Sequence, residues 1–287
     1  MIRFTTIVPL VVVLFALASP IIKAESTGDP VRVVIDGEYY PYEFLDHDGE
    51  IKGFTPELLS TLSGSMGKSF EFFPMSWPKA IESLDHGKID LISMIYSEER
   101  AKKYQFSMPH SRIYQALFVH RLNGPKDLTE LSGKRVAFQN NDISLERLEY
   151  RNDFERVIVS SKNEGFSLLQ KGDVDAFFTS ESSGDDYIRD HGFRNFIVAK
   201  ALGGLFEQAF CFAALKQNKA LIDKLDQAIV QEKRSGKLSQ LQGKWLHHDS
   251  SIWEDHYPLI ISVLSVILLL VIFLTITRWS LNRAKLK

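Results

Sequence analysis

The sequence lacks a second cysteine: Cys211 is the only one among 287 residues, so no disulfide can form within the chain and a folded domain must rest on its own core. It also lacks an excess of either charge. With 34 Lys and Arg against 36 Asp and Glu the net charge is −2, which removes the positive field that nucleic-acid binding requires. No G-x-S-x-G and no H-E-x-x-H pattern occurs, so neither a nucleophile elbow nor a zinc-protease helix is expected. Gly64-Ser65-Met66-Gly67-Lys68-Ser69 hints at a phosphate loop, but the pattern needs glycine where Leu62 stands. His247 and His248 are adjacent and cannot share a helix face, and no cysteine joins them or His256. No metal and no cofactor is therefore expected. What remains is ordinary globular composition, 45% hydrophobic and 24% charged.

The two ends carry the strongest physical signals. Arg3, an apolar run from Ile7 to Leu17 and then small residues give the order of a secretory signal, expected over residues 1–24. Cleavage after Ala18 also fits, and Ile21 and Ile22 leave an uncleaved anchor open. Residues 259–277, Leu259 to Thr277, contain neither charge nor proline, a length that crosses about 30 Å of hydrocarbon at about 1.5 Å per residue. A buried core helix would show a polar face. Arg278, Arg283, Lys285 and Lys287 follow the run, whereas Asp249, Glu254 and Asp255 precede it. The positive-inside rule then gives a cytoplasmic tail over 278–287, a polar linker over 248–258, and a domain over 25–247 outside the cytoplasm. The expected location is the inner membrane, single-pass, with the domain in the periplasm or extracellular space.

Between the ends one pattern occurs twice. Leu84-Asp85-His86-Gly87-Lys88-Ile89-Asp90-Leu91-Ile92 and Leu169-Gln170-Lys171-Gly172-Asp173-Val174-Asp175-Ala176-Phe177 each read as a helix ending at a glycine, with a strand beginning after the aspartate. Val31–Ile35 and Arg135–Phe138 form a second echo, two apolar strands that would each open an α/β lobe. Thr55-Pro56-Glu57 and Ser97-Glu98-Glu99 read as capped helix starts. Leu221, Ile222, Leu225, Ala228 and Ile229 fall at helical spacing, with Leu238, Leu241 and Trp245 beyond Gly236. Strands alternating with helices predict α/β layers and parallel sheet.

Tyr40-Pro41-Tyr42-Glu43-Phe44, Asp46 through Phe54, Trp77, Gly87-Lys88-Ile89-Asp90, Ser97 through Ala101, Phe106-Ser107-Met108-Pro109, Asp127 through Ala137, Gly172 through Ala176 and Gly236 through Trp245 occur in this order. In order and spacing they resemble the family 3 solute-binding proteins, over about residues 31–247. The resemblance implies an α/β, two-lobed periplasmic binding protein type II fold, here with a C-terminal transmembrane helix. Lobe one would comprise 31–118 and 208–247, and lobe two 119–207. A small-molecule solute would sit in the cleft between them, with hinge closure.

By the same resemblance Arg100 falls on the arginine that grips a ligand carboxylate, for which a guanidinium fork is suited; alone it would read as a solvated helix-start residue. Tyr39, Phe44 and Trp77 fall on aromatic walls, with core packing the other reading. Ser93 falls on a polar position, although Ile95 stands where a small hydroxyl or glycine is usual. Gln139-Asn140-Asn141-Asp142 replaces the usual glycine followed by Ser or Thr, which puts Asp142, an acceptor, where a donor is expected. Ser180, with Glu181 beside it, stands where amino-acid binders often carry an aspartate. Asp142 and Glu181 have a second reading as helix caps. His110 replaces a usual tyrosine and is either structural or a titrating group.

Anchoring by a C-terminal helix resembles the sensing half of membrane receptors, in which such a helix leads into a histidine kinase or a diguanylate cyclase. The expected function is a membrane-anchored extracytoplasmic sensor of a small carboxylate-bearing solute, acting through a partner kinase or cyclase. Delivery to an ABC permease is the alternative. A cyclic-acid dehydratase-like enzyme using Glu181 or Asp142 is a third reading; no catalytic residue is otherwise assigned.

Overall fold

The apolar run Val31–Ile35 forms strand β1 and pairs in parallel with β5, Phe70–Pro74. This is a computed structural model, describing residues 29–202, 206–246, 261–268 and 270. Between these strands come β2 (Glu38–Tyr39), β3 (Glu43–Leu45) and β4 (Ile51–Lys52), which make a small three-stranded sheet, and helix α1 (Phe54–Met66). Helix α2 (Trp77–Asp85), β6 (Ile92–Ile95), α3 (Glu98–Lys103) and β7 (Tyr104–Phe106) complete the first part of lobe one. Strand β8 (Ser111–His120) then runs out of that lobe.

Lobe two contains β9 (Arg135–Gln139), α4 (Ile143–Arg147), β10 (Glu155–Val159), α5 (Lys162–Lys171), β11 (Ala176–Ser180), α6 (Glu181–Asp190) and β12 (Ile197–Ala201). Strand β13 (Glu207–Leu215) returns, and α7 (Lys219–Arg234) and α8 (Lys237–Trp245) close lobe one. β10, β9 and β11 are parallel, as strand-helix alternation predicts, while β8 and β13 run antiparallel to each other and tie the lobes into one eight-stranded sheet. Each lobe has its own apolar core. Val33, Leu58, Leu62, Ile222, Leu225 and Leu241 belong to lobe one, and Phe118, Phe166, Phe177 and Phe178 to lobe two.

The repeated pattern is a repeated clamp. The Arg32 backbone N–H and Nε both donate to Asp90 Oδ2, at 3.0 and 2.9 Å, and Nη2 reaches the Gly87 carbonyl at 3.0 Å. In lobe two, Arg135 N and Nε donate to Asp175 Oδ2 at 2.8 and 3.4 Å, and Nη2 reaches the Gly172 carbonyl at 2.7 Å. Gly87 and Gly172 have φ of 66° and 76°, the left-handed turn that frees the chain from the helix without a Cβ penalty.

One helix start differs from expectation. α1 begins after Gly53, not at Thr55. The Phe54 and Thr55 N–H groups donate to the carbonyls of Pro41 and Tyr42, at 3.0 and 2.8 Å, so backbone replaces a side-chain cap. Gly53 is required there, since φ is 122° and a Cβ would lie 2.5 Å from the Tyr42 carbonyl oxygen.

The expected signal (1–24), linker (248–258) and tail (278–287) lie outside the described residues. Within the 259–277 run, residues 261–268 and 270 are described; they are helical and exposed. Among the described residues no helix is long and apolar enough to cross a membrane.

Candidate functional site

In an open α/β sheet, ligands gather at the carboxyl ends of the strands. Both lobes direct those ends at one cavity of about 40 Å3. Asp36 follows β1, Met94 and Ile95 end β6, Gln139 ends β9, and Thr179 belongs to the end of β11; all line it. Tyr39, Glu43, Trp77, Ser93, Arg100, Asp142, Ile143 and Phe210 complete the wall.

Of the residues singled out in sequence, the fold brings Tyr39, Trp77, Ser93, Arg100 and Asp142 together at this cavity. Ser180 is buried at the junction of β11 and α6, its Oγ 3.4 Å from Ser182 Oγ, and does not line the space. Glu181, half-buried in the first turn of α6, does not line it, and burial beside Asp185 raises its carboxyl above the ordinary range. Phe44 also lies elsewhere, packing 5.0 Å from the Tyr40 ring and 6.1 Å from Trp245. His110 belongs to the core of lobe one, its ring 4.3 Å from Phe212; burial pushes it down to about 3, so it is neutral at ordinary pH.

Arg100 is positioned by the Ser97 cap, whose hydroxyl accepts the Arg100 N–H at 3.1 Å. Its guanidinium donates Nη1 to the Ile95 carbonyl at 3.1 Å, Nη2 to the Asn141 carbonyl at 2.7 Å and Nε to Glu146 at 3.1 Å. Trp77 Nε1 shares the Asn141 carbonyl at 3.2 Å, and its ring lies 5.9 Å from the guanidinium carbon. Asn141 takes φ of 62°, a conformation Asn tolerates better than most side chains. Asp142 caps α4 through Ser144 N at 2.8 Å while facing the cavity.

Ile95 and Gln139, read in sequence as departures from the family pattern, also line the cavity, whereas Asp36, Glu43 and Thr179 were not legible as site residues. Glu43 is buried in β3; Oε1 accepts the Asp36 N–H at 3.0 Å, while Oε2 has no hydrogen-bond partner. Burial, with some repulsion from Asp36, pushes its carboxyl up to about 8, so it is chiefly protonated at neutral pH. Burial also raises Asp36 and Asp142 and lowers the neighbouring Lys162 ammonium. Ser93 Oγ is likewise buried without a partner. The site therefore offers one guanidinium, two Asp carboxyls, a chiefly neutral Glu acid and two aromatic walls. That set can hold a small polar molecule by charge and hydrogen bonds.

A family model described as bacterial extracellular solute-binding proteins, family 3, matches residues 31–248. Among curated proteins, the L-cystine-binding protein TcyJ of Escherichia coli strain K12 is 27% identical over 224 residues, spanning 76% of this chain and 82% of its own. The ABC transporter arginine-binding protein 1 of the same organism is 23% identical over 237 residues, spanning 81% and 97%. Among solved structures, a histidine kinase sensor domain with similarity to periplasmic binding proteins superposes with a TM-score of 0.70 at 26% identity, covering 76% of this chain and 96% of that one.

Proposed function

Because the chain belongs to the family 3 bacterial extracellular solute-binding proteins, we propose that it is a membrane-anchored extracytoplasmic receptor for a small amino-acid-type solute, which it senses rather than transforms. The observation that carries this reading is the pairing of Arg100 with Asp36, Asp142 and Glu43 around one interlobe cavity. A solute carboxylate would take the η hydrogens that Arg100 retains, and a cationic group would meet the aspartates. Trp77 and Tyr39 would flank its apolar part. The similarity to proteins named for L-cystine and arginine supports an amino acid.

Sensing is favoured over delivery by the apolar run at 259–277 and by the likeness to a histidine kinase sensor domain. Closure on a solute would shift the chain leaving α8 and bias a partner kinase or cyclase. Delivery to an ABC permease is the second reading, favoured by the likeness to an ABC transporter arginine-binding protein.

The test is thermal unfolding of the full chain against amino acids, organic acids, amines and sugars, with Arg100→Ala alongside. A solute at one hundred times its Kd should add about 2.7 kcal/mol. The reading predicts stabilisation by one class of amino acid that is recovered unchanged, and its loss in the variant. Turnover of the compound would favour an enzyme, and stabilisation that survives Arg100→Ala would remove the carboxylate contact.

A further inference from the structure

Charge divides the cavity wall into two parts. Arg100 of α3 attracts Asp142 at the start of α4, and between them they match the carboxylate and the ammonium that every amino acid carries. Asp36 and Glu43 form a second, wholly acidic part, from the chain after β1 and from β3. Glu43 is 2% exposed and lines the cavity. The Asp36 N–H donates to its Oε1 at 3.0 Å, which holds the carboxyl against the Asp36 backbone, and among the described residues Oε2 has no hydrogen-bond partner. The other charged groups nearby are engaged elsewhere. Lys162 of α5 and Glu38 of β2 act on Asp36 with opposite signs, and Lys162 donates to the Glu38 carbonyl and to Ser183. Lys52 of β4 pairs with Asp46 at 3.8 Å, and Glu57 of α1 pairs with Lys244. Thr55 of α1 is a buried hydroxyl, and Tyr39, opposite Glu43 on β2, is a neutral phenol. Asp36 is the charge that acts on Glu43, and it repels a second anion.

A buried carboxyl beside another carboxyl ionises less readily than in water, and burial together with Asp36 pushes the Glu43 acid up to about 8. A cation placed against Glu43 offsets both causes, because it supplies the opposite charge and takes Oε2 as its acceptor. We infer that Glu43 is a proton-exchange residue of this site. A solute with a second cationic group, seated against Asp36 and Glu43, is bound with release of the Glu43 proton to solvent. A solute that is neutral at that position is bound with the proton kept, and meets Glu43 as a donor. This rests on the solute-binding reading above and adds a rule for which solutes are taken and when. Binding that releases one proton strengthens as pH rises, by about tenfold per pH unit, until the free acid has itself ionised at about 8. A solute with a neutral side chain gains nothing from that rise, so discrimination between the two classes changes with pH.

The experiment is titration calorimetry of the full chain in lipid nanodiscs, with L-arginine and L-lysine as cationic probes and L-glutamine and L-leucine as neutral ones. Each is run in phosphate and in Tris, which take up protons with different heats, so the difference in apparent enthalpy counts the protons exchanged. At pH 7 the protein should release about one proton per L-arginine or L-lysine and none per neutral probe. The L-arginine Kd should fall about tenfold between pH 6 and pH 7. Glu43→Gln should bind L-arginine with no proton released and with a level Kd over that interval. The inference is overturned if the cationic probes bind without proton release, or if Glu43→Gln releases the same proton, which would assign it to Asp36 or Asp142. Should the variant fail to fold, carbon-13 spectra of glutamate-labelled protein decide. A glutamate carboxyl titrating at about 8 should move to its ionised position when L-arginine is added at pH 7, and its absence would equally overturn the inference. Binding of a neutral probe, or of another amino acid on melting, without binding of either cationic one would sink the inference and leave the solute reading standing. Binding of no amino acid at all would sink both.

Discussion

Glu43 makes the closed cleft measurable through pH. Its carboxyl titrates at about 8 in the folded chain, chiefly because of burial, against 4.5 ordinarily. The folded state therefore holds this proton more tightly than the unfolded state. Its stabilising contribution is fully present below pH 4.5 and is lost as pH rises through 8. At about 1.36 kcal/mol per pH unit, the loss is about 3 kcal/mol by pH 7 and about 5 kcal/mol above pH 8. Glu43→Gln keeps the shape and abolishes the titration. Any constant cost of the amide cancels when slopes are compared. Melting of the full chain and of the variant between pH 4 and pH 9 should show the two curves diverging in favour of the variant. For a domain of this size, about 3 kcal/mol corresponds to roughly 6–12 °C between pH 4 and pH 7. Parallel curves would mean that Glu43 ionises with ordinary ease, that water reaches Oε2, and that the cleft does not exclude solvent as described.

Two further expectations follow from buried groups. His110 titrates at about 3 when folded against 6.5 ordinarily, because it is buried; stability is then lost as pH falls below 6.5, by about 2 kcal/mol at pH 5. Urea unfolding at pH 7 and pH 5 should show His110→Gln gaining about 2 kcal/mol relative to the protein over that interval, the opposite Glu43 contribution cancelling in the difference, and equal pH dependence in both would refute it. Gly184 of α6 faces the Phe118 ring, where a Cβ would lie 2.2 Å away. Gly184→Ala should cost about 1–3 kcal/mol by overpacking, read as a lower urea midpoint, and an unchanged midpoint would show that Phe118 has room to yield.

Much of the frame was legible because its signals are local. Gly87 and Gly172 end helices by a conformation that favours glycine, and Asp90 and Asp175 follow at a fixed offset. Ser97 caps α3 by its own hydroxyl and thereby fixes Arg100. Adjacent strand residues point to opposite faces, and hydrophobicity alone argues for Phe44 inward and Glu43 outward. The structure has the reverse: Glu43 is buried beneath Asp36, and Phe44 packs outside the cavity against Tyr40 and Trp245. Which face of β3 meets the cleft is decided by its pairing with β2 and β4, not by local pattern. Lys162, Glu146 and the Asn141 carbonyl were hidden for a related reason, since their partners lie 124, 46 and 41 residues away. Asp36 and Thr179 could have been found from the rule that sites form at the carboxyl ends of parallel strands.

The path of the chain through β8 and β13 also bears on how the molecule assembles. The cores of lobe two draw on Ala116 through Phe206 alone, one continuous stretch. The main core of lobe one joins Val31, Phe54 and Leu62 to Phe212, Ile229 and Leu241, so its contacts span most of the sequence. Closing such a long loop has to precede the gain from those contacts, which makes them slow to form. The inner stretch can therefore complete its packing while the amino-terminal strands wait for α7 and α8. Until then β1 and α1 expose apolar surface, the state in which a chain of this size aggregates most readily.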